Sequence, residues 1–443
     1  MQPPSNLSLT SLPRTRKTGY NMISAVRGMR DVFGAELAAW QRAEAALAAS
    51  ANGFGYHEFR TPLVEHIDLF QRGVGEFTDI VGKEMYVFED RGGDRLALRP
   101  EMTAPIVRAS IEHSLVRHTP ATRLWYMGPL FRYERPQKGR QRQFHQFGAE
   151  LLGSPHPEAD AEIICLAHDA MQHAGVRGLQ LNINTLGSAE TRHAYRTELV
   201  QYLRRHSTHL SADSGRRLET NPLRILDSKD SADQDIIRNA PVLFDYLSDA
   251  DADHFAAVCA ILESSGITIE VCKTLVRGLD YYSHTVFEFT SSQLGAQNTV
   301  CGGGRYDQLF SMLGGGTTPA VGFSVGMERL MLLLEAQEGG FTTLPPTDVY
   351  CIALSETARL PVQLIALRLR RAGFTVVTDV LRRSAKAQFR DADKMPALCA
   401  VIIGDDELAA GVALVKNLKT SEQVSVPNAE LPAHLAGLLD RVP

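Results

Sequence analysis

From Phe131 to Glu150 the chain reads FRYERPQKGRQRQFHQFGAE, and five cations (Arg132, Arg135, Lys138, Arg140, Arg142) share eleven of those residues with one carboxylate, Glu134. An apolar strand pattern, LWYMGPLF, precedes the run and an aromatic one, FHQFGAELL, follows it. That order predicts a β-hairpin with guanidiniums at its loop. Arginine offers planar, forked donors and keeps its charge at any working pH, which suits a polyphosphate. On its own the run would be a solvated basic loop. Further polar signatures elsewhere in the chain ask for the same kind of ligand.

The first is LRPEMTAPIVR, residues 98–108, where a strand passes into a helix and carries Glu101 and Thr103 at the junction. Those groups would hold an ammonium, or simply favour a helix N-terminus through the dipole. In the hairpin's second strand, alternation puts Phe144, Gln146, Gly148 and Glu150 on one face and His145 on the other. Phe144 could stack on a purine, with an arginine over its far side. Gln146 and Glu150 would add hydrogen bonds deeper in the pocket, and His145 reads as a packed histidine. LVRGLDYYSHTVFEF, residues 275–289, sets Arg277, Asp280, Tyr281 and Tyr282 before a strand, too polar a set for a routine turn. CGGGRYDQL, residues 301–309, joins three glycines, which let a backbone approach a ligand, to Arg305, Tyr306 and Asp307. In AVGFSVGMERLMLL, Arg329 falls in the first helical turn, where a cation opposes the dipole and an anionic ligand would compensate. Gly322 and Gly326 there remove side chains where a nucleotide could lie.

The elements that must position these groups follow from hydrophobic period. GAELAAWQRAEAALAASAN, residues 34–52, predicts a helix, YHEFRTPLVE a strand ended by Pro62, and residues 102–116 another helix. Residues 189–272 are helical and charged, with few β-branched runs, and read as an inserted helical subdomain. After a Gly- and Pro-rich loop, residues 347–443 alternate strand and helix, predicting a small α/β domain with a mainly parallel sheet. Residues 1–21, rich in Ser, Thr and Pro and free of acids, predict a disordered extension.

Composition excludes several classes. At 443 residues the chain exceeds one comfortable core. No apolar window reaches the roughly 18 residues of a membrane span. A net charge of −5 argues against a surface built for duplex DNA, although residues 368–394 hold eight Lys/Arg against three Asp. Six scattered cysteines without a CxxC pair give neither a zinc site nor a disulfide framework. No GxxxxGK[ST] loop, GxGxxG turn or HExxH helix is present.

In order and spacing, these blocks resemble the class II aminoacyl-tRNA synthetases, and within them the histidyl-tRNA synthetases, over about residues 26–439. FRYE at 131–134 and GMER at 326–329 carry the class resemblance. RGLDYY at 277–282, GGGRYD at 302–307, RPExT at 99–103 and GRQRQFHQ at 139–146 carry the narrower one. The resemblance implies an α+β fold: an antiparallel-sheet catalytic domain (22–188 and 273–338), a helical insertion (189–272) and a C-terminal α/β anticodon-binding domain (347–443). It implies ATP bound with Mg²⁺, L-histidine and tRNA(His) as substrates, a homodimer, and a cytoplasmic enzyme without a membrane segment. Arg132 would bind the α-phosphate, Glu134 the adenine side, Phe144 the adenine ring, and Arg140 and Arg329 the distal phosphates. Glu101, Thr103, Gln146 and Glu150 would surround the amino acid's polar ends, and Tyr282 and Tyr306 its imidazole. Arg277 would be the catalytic cation, with Arg132 beside it, and Gln137 and Arg142 would face the tRNA acceptor end. A non-catalytic paralogue, the histidine-sensing regulatory subunit of ATP phosphoribosyltransferase, shares the fold but usually lacks the tail and the RGLDYY block.

Overall fold

Alternating and apolar runs form the strands β1 (His57–Glu58), β2 (Val64–His66), β3 (Tyr86–Glu89), β4 (Arg95–Leu98), β5 (Thr122–Phe131), β6 (Gln143–Leu152), β7 (Gln180–Thr185), β8 (Ile269–Val271), β9 (Ser283–Thr290), β10 (Thr299–Arg305) and β11 (Ala320–Gly326). After them come β12 (Thr347–Ala353), β13 (Val376–Thr378), β14 (Ala397–Ile403), β15 (Val412–Asn417) and β16 (Gln423–Pro427). The computed structural model describes residues 23–75, 78, 80–276, 281–295, 298–342 and 347–439. They divide into two units, one holding Ala39–Gly340 and the other the chain from Phe341 on. Residues 1–21, read as an extension, lie outside the described residues.

In the first unit an eight-stranded sheet runs in the order β1-β5-β6-β11-β10-β9-β7-β8. Its outer pairs β1–β5 and β7–β8 are parallel and the five between them antiparallel. One face is apolar: Phe147, Ala149, Leu151, Phe287, Phe323 and Val325 are buried, and the helices Pro157–His173 and Met327–Glu338 pack on strands β6 and β11. His145 is on this side, its ring edge-on to Trp40 at 5.5 Å and its Nδ1 3.1 Å from Glu328. The other face is open and polar. Register sets Gln146 beside Gly326, Gly148 beside Ser324, and Glu150 beside Gly322.

Two segments fold differently from their hydrophobic pattern. The helix expected over 102–116 is two pieces, Thr103–Glu112 and Leu115–His118, because Ser114 turns into the left-handed region with φ 52°. The YHEFRTPLVE segment is not one strand. The chain leaves the large sheet after Glu58 and re-enters a small sheet at Val64. The buried Arg99 guanidinium takes up the carbonyls between, donating to Thr61 O at 2.7 Å and Pro62 O at 3.2 Å.

Between β7 and β8 lie the helices Ala189–Arg205, Ala212–Thr220, Ser231–Arg238 and Asp249–Ser264. Their starts are written in the sequence: Ser188, Ser211, Asp230 and Ser248 each cap a helix with a side-chain oxygen. Tyr195, Leu199, Leu203, Leu218, Ile225 and Ile236 form a core of their own.

The second unit holds a five-stranded sheet in the order β13-β12-β14-β15-β16, with an apolar cluster on each face. It is not mainly parallel. β12 pairs in parallel with β13 and β14, but β14–β15 and β15–β16 are antiparallel. The segment after Asn417 folds straight back as a hairpin strand instead of crossing over as a helix. Within the basic run 368–394, Arg368 donates to Asn428 O and Ala429 O, Arg370 to Val376 O, and Arg383 pairs with Asp379 and Asp391. Among the described residues no helix is long and apolar enough to cross a membrane.

Candidate active site

The open face of the eight-stranded sheet is the floor of a cavity of about 570 Å³. Strands β5, β6, β11, β10 and β9 supply Tyr126, Phe144, Gln146, Gly322, Ser324, Gly302 and Glu288 to it, all at alternate positions on one side. Walls come from Glu101 and Thr103, from the hairpin residues Arg132, Glu134 and Arg140, from Tyr281, Tyr282 and Tyr306, and from Arg329.

Glu150 lies under this floor, 1% exposed, and is bonded twice. Thr103 Oγ1 donates to its Oε1 at 2.8 Å and the Tyr306 hydroxyl donates to its Oε2. Burial pushes its carboxyl up to about 8, even though both hydroxyl bonds favour the ionised form. Glu101 caps the helix Thr103–Glu112, accepting the N–H groups of Thr103 and Ala104 at 2.9 Å each. Burial raises this carboxyl too, against its main-chain bonds and the nearby Arg132. The rings of Tyr281 and Tyr282 are 4.8 Å apart and those of Tyr281 and Tyr306 5.6 Å, one aromatic wall. Burial raises the Tyr281 and Tyr306 phenols well above their ordinary value, so these two stay neutral.

Cations line the same cavity. Arg132 anchors its Nε on Pro100 O at 2.9 Å and holds its guanidinium 5.3 Å from the Phe144 ring centroid. Arg140 forms an ion pair with Glu134. Arg329 reaches back to Thr299 O at 2.5 Å and Gly139 O at 3.4 Å, so its cost against the helix dipole is offset partly by carbonyls of this chain. Guanidiniums beside an aromatic face can hold a nucleotide, and the buried acids with neutral phenols can hold a small polar amine.

The sequence-derived site divides accordingly. Glu101, Thr103, Arg132, Glu134, Arg140, Phe144, Gln146, Tyr282, Tyr306 and Arg329 line the cavity, and Glu150 is bonded to two of them. Gln137 and Arg142 do not line it. Gln137 closes the hairpin turn against Arg140, and Arg142 stacks its guanidinium 3.8 Å over Tyr133. Arg277 lies outside the described residues. Gly322 makes room for Glu150 of this same chain, since a β-carbon there would meet that carboxylate at 1.6 Å. Arg305 is turned away from the cavity and ion-paired with Asp160 and Asp307.

Several lining residues carried no signal strong enough to single out. Tyr126 and Glu288 share the floor's alternation, and a carboxylate inside the apolar VFEF strand was a legible hint. Asp227 and Lys229 reach the cavity from the helical insertion, about 50 residues before the nearest motif, and nothing local marks them.

An antiparallel-dominated sheet bearing this pocket, followed by a separate sheet domain, is the architecture of a class II aminoacyl-tRNA synthetase with an anticodon-binding domain. Residues 28–330 match the family model described as histidyl-tRNA synthetase, and residues 348–438 that of the anticodon binding domain. The chain belongs to the histidyl-tRNA synthetase family. Among solved structures, apo histidyl-tRNA synthetase from S. aureus is similar at 33% identity, with a TM-score of 0.79, covering 94% of this chain and 100% of that one. Histidyl-tRNA synthetase from Nostoc sp. PCC 7120 shares the fold at 21% identity and a TM-score of 0.66, covering 94% and 100%. A Bacillus halodurans protein titled ATP phosphoribosyltransferase regulatory subunit/histidyl-tRNA synthetase shares it at 24% and 0.62, covering 87% of this chain and 99% of that one.

Proposed function

We propose that this chain is a histidine–tRNA ligase, which activates histidine with ATP and passes the aminoacyl group to the 3′ end of tRNA(His). One observation carries the reading: Arg132, Arg140, Arg329 and Phe144 line the same cavity as Glu101, Thr103, Tyr282 and Tyr306. A triphosphate with a purine suits the first set, and a zwitterionic amino acid with a polar ring suits the second.

In the first step a histidine carboxylate oxygen bonds to the α-phosphorus of ATP. The bond to the bridging oxygen breaks, and pyrophosphate leaves with the electron pair. The chain has no covalent work to do, only positioning and stabilisation of charge on phosphorus oxygens. We assign Arg132 to the α-phosphate, Phe144 and Glu134 to adenine, and Arg140 and Arg329 to the distal phosphates. Arg277 is assigned to the α-phosphate and the histidine carboxylate. Glu101, Thr103, Gln146 and Glu150 take the ammonium and carboxylate, and Tyr282 and Tyr306 the imidazole. Bound together with ATP, Mg²⁺ would supply neutralisation of charge on the phosphate oxygens.

In the second step a terminal ribose hydroxyl of tRNA attacks the adenylate carbonyl and AMP leaves. Gln137 and Arg142, outside the cavity on the hairpin, are assigned to the acceptor end, and the second unit to the anticodon. A pocket built to hydrogen-bond a polar ring leaves its own buried groups unpaired with an apolar analogue, so histidine is selected without editing. The enzyme works as a cytoplasmic homodimer in this reading. Charging of tRNA(His) transcript with labelled histidine tests it. A chain that binds histidine yet leaves the tRNA uncharged would instead be a histidine-sensing regulatory subunit.

A further inference from the structure

We propose that Arg192, on the helical insertion, is a positioning residue for the amino-acid pocket, acting through the main chain of Tyr282. Its Nη1 donates to the Tyr282 carbonyl at 2.6 Å, while the Tyr282 side chain lines the cavity. Arg192 does not line the cavity itself; this bond is how it reaches a residue that does.

The bond has rigid supports on both sides. Arg192 sits in the first turn of the helix Ala189–Arg205, whose start is fixed by the Ser188 cap. The buried Asp251 of the helix Asp249–Ser264 accepts from Ser188 N at 3.0 Å, Ser188 Oγ at 3.2 Å and Thr191 Oγ1 at 2.5 Å. The chain just before this helix is stitched to the chain just after Tyr282: Leu186 N donates to His284 O at 2.7 Å, and His284 N to Gly187 O at 3.0 Å. On the pocket side, the Tyr281 ring packs against those of both Tyr282 and Tyr306, and Tyr306 donates to Glu150. Asp307 N donates to Ser283 Oγ at 3.4 Å, which ties the chain just after Tyr306 to the residue just after Tyr282. A guanidinium is suited to the task because its planar fork is pre-organised, so a single carbonyl is held with little loss of freedom.

Removing the donor frees the Tyr282 main chain and loosens one wall of the pocket, while the nucleotide-facing cations on the hairpin and on the helix Met327–Glu338 are untouched. The expected signature is selective loss of histidine affinity. This inference rests on reading the cavity as a histidine site, and binding measurements separate its failure from failure of the ligase reading. Histidine and ATP dissociation constants would be measured by calorimetry on the full chain and on Arg192→Ala, Arg192→Met and Arg192→Lys. Ala and Met should each weaken histidine about tenfold or more and change ATP by less than about twofold. Lys, which keeps a donor on a long stem, should recover part of the loss. Should the Ala variant not fold, the Met variant, which keeps the apolar stem, carries the same comparison. Unchanged histidine affinity in the Met variant, or equal losses for histidine and ATP, would overturn the proposal. An unmodified chain that binds histidine but forms no adenylate would sink the ligase reading and leave this inference standing.

Discussion

Glu150 lies across Gly322 so closely that a β-carbon at position 322 would stand 1.6 Å from its Oε2. The two residues face each other in register on β6 and β11, so the contact belongs to the sheet and not to a mobile loop. Gly322→Ala should therefore displace the carboxylate that Tyr306 and Thr103 hold. We expect the KM for histidine to rise about tenfold or more, and stability to fall by ~1–3 kcal/mol from overpacking. Pyrophosphate-exchange kinetics and a thermal melt check both, and a variant with unaltered histidine KM contradicts the assignment of Glu150.

Protonation of Glu150 gives a second expectation. Burial lifts its carboxyl from an ordinary 4.5 to about 8, so in the empty cavity it is mostly protonated at neutral pH. An ammonium bound beside it favours the carboxylate and expels the proton. Histidine binding near pH 7.5, where free imidazole is mostly neutral, should then release protons to the buffer. Calorimetry in two buffers of different ionisation enthalpy should give different apparent heats for the native chain and equal heats for Glu150→Gln.

The same shift has a stability sign. A carboxyl raised in the folded state adds no cost below its unfolded value and a growing cost as pH climbs from about 4.5 to about 8. Glu150→Gln should flatten this part of the pH–stability curve of the ligand-free protein, measured by denaturant melts. A slope identical to the native chain's would remove Glu150 as its source.

Phe144 and Arg132 offer a test at the nucleotide side. If the ring stacks on adenine, Phe144→Ala should lose ~1–3 kcal/mol of ATP binding, the range for base–aromatic stacking, with histidine affinity nearly unchanged. Separate KM values for the two substrates decide it.

Arg305 should behave oppositely to the cavity cations. It is 1% exposed and its carboxylate partner Asp160 is fully buried, so Arg305→Met strands a buried charge. A loss of ~3–5 kcal/mol in stability is expected, seen as a lower Tm. A Tm within a degree or two of the native chain's would contradict the structural role.

What could be read from the sequence follows from range. Motifs within one strand were legible because period 2 decides which side chains share a face: Phe144, Gln146 and Glu150 against His145. Arg305 and Tyr306 are adjacent in the sequence yet diverge, because the distant Asp160 and the carbonyls of Ser154 and His156 take up the guanidinium. Asp227, Lys229 and Arg192 reach the pocket or its support from the insertion through long-range packing that no local pattern reports. The tail's first four strands and the two helices between the first three were legible, but β16 and the last helices were not, and the direction of β15 and β16 depends on pairing between strands, which alternation does not encode.

Both substrate sets assigned to the cavity require that it form histidyl-adenylate. Exchange of labelled pyrophosphate into ATP, measured with each of the twenty amino acids, tests this most directly. Exchange should depend on histidine and stay at background with the other nineteen. Absence of histidine-dependent exchange in a folded chain that still binds histidine, or strong exchange driven by another amino acid, would contradict it.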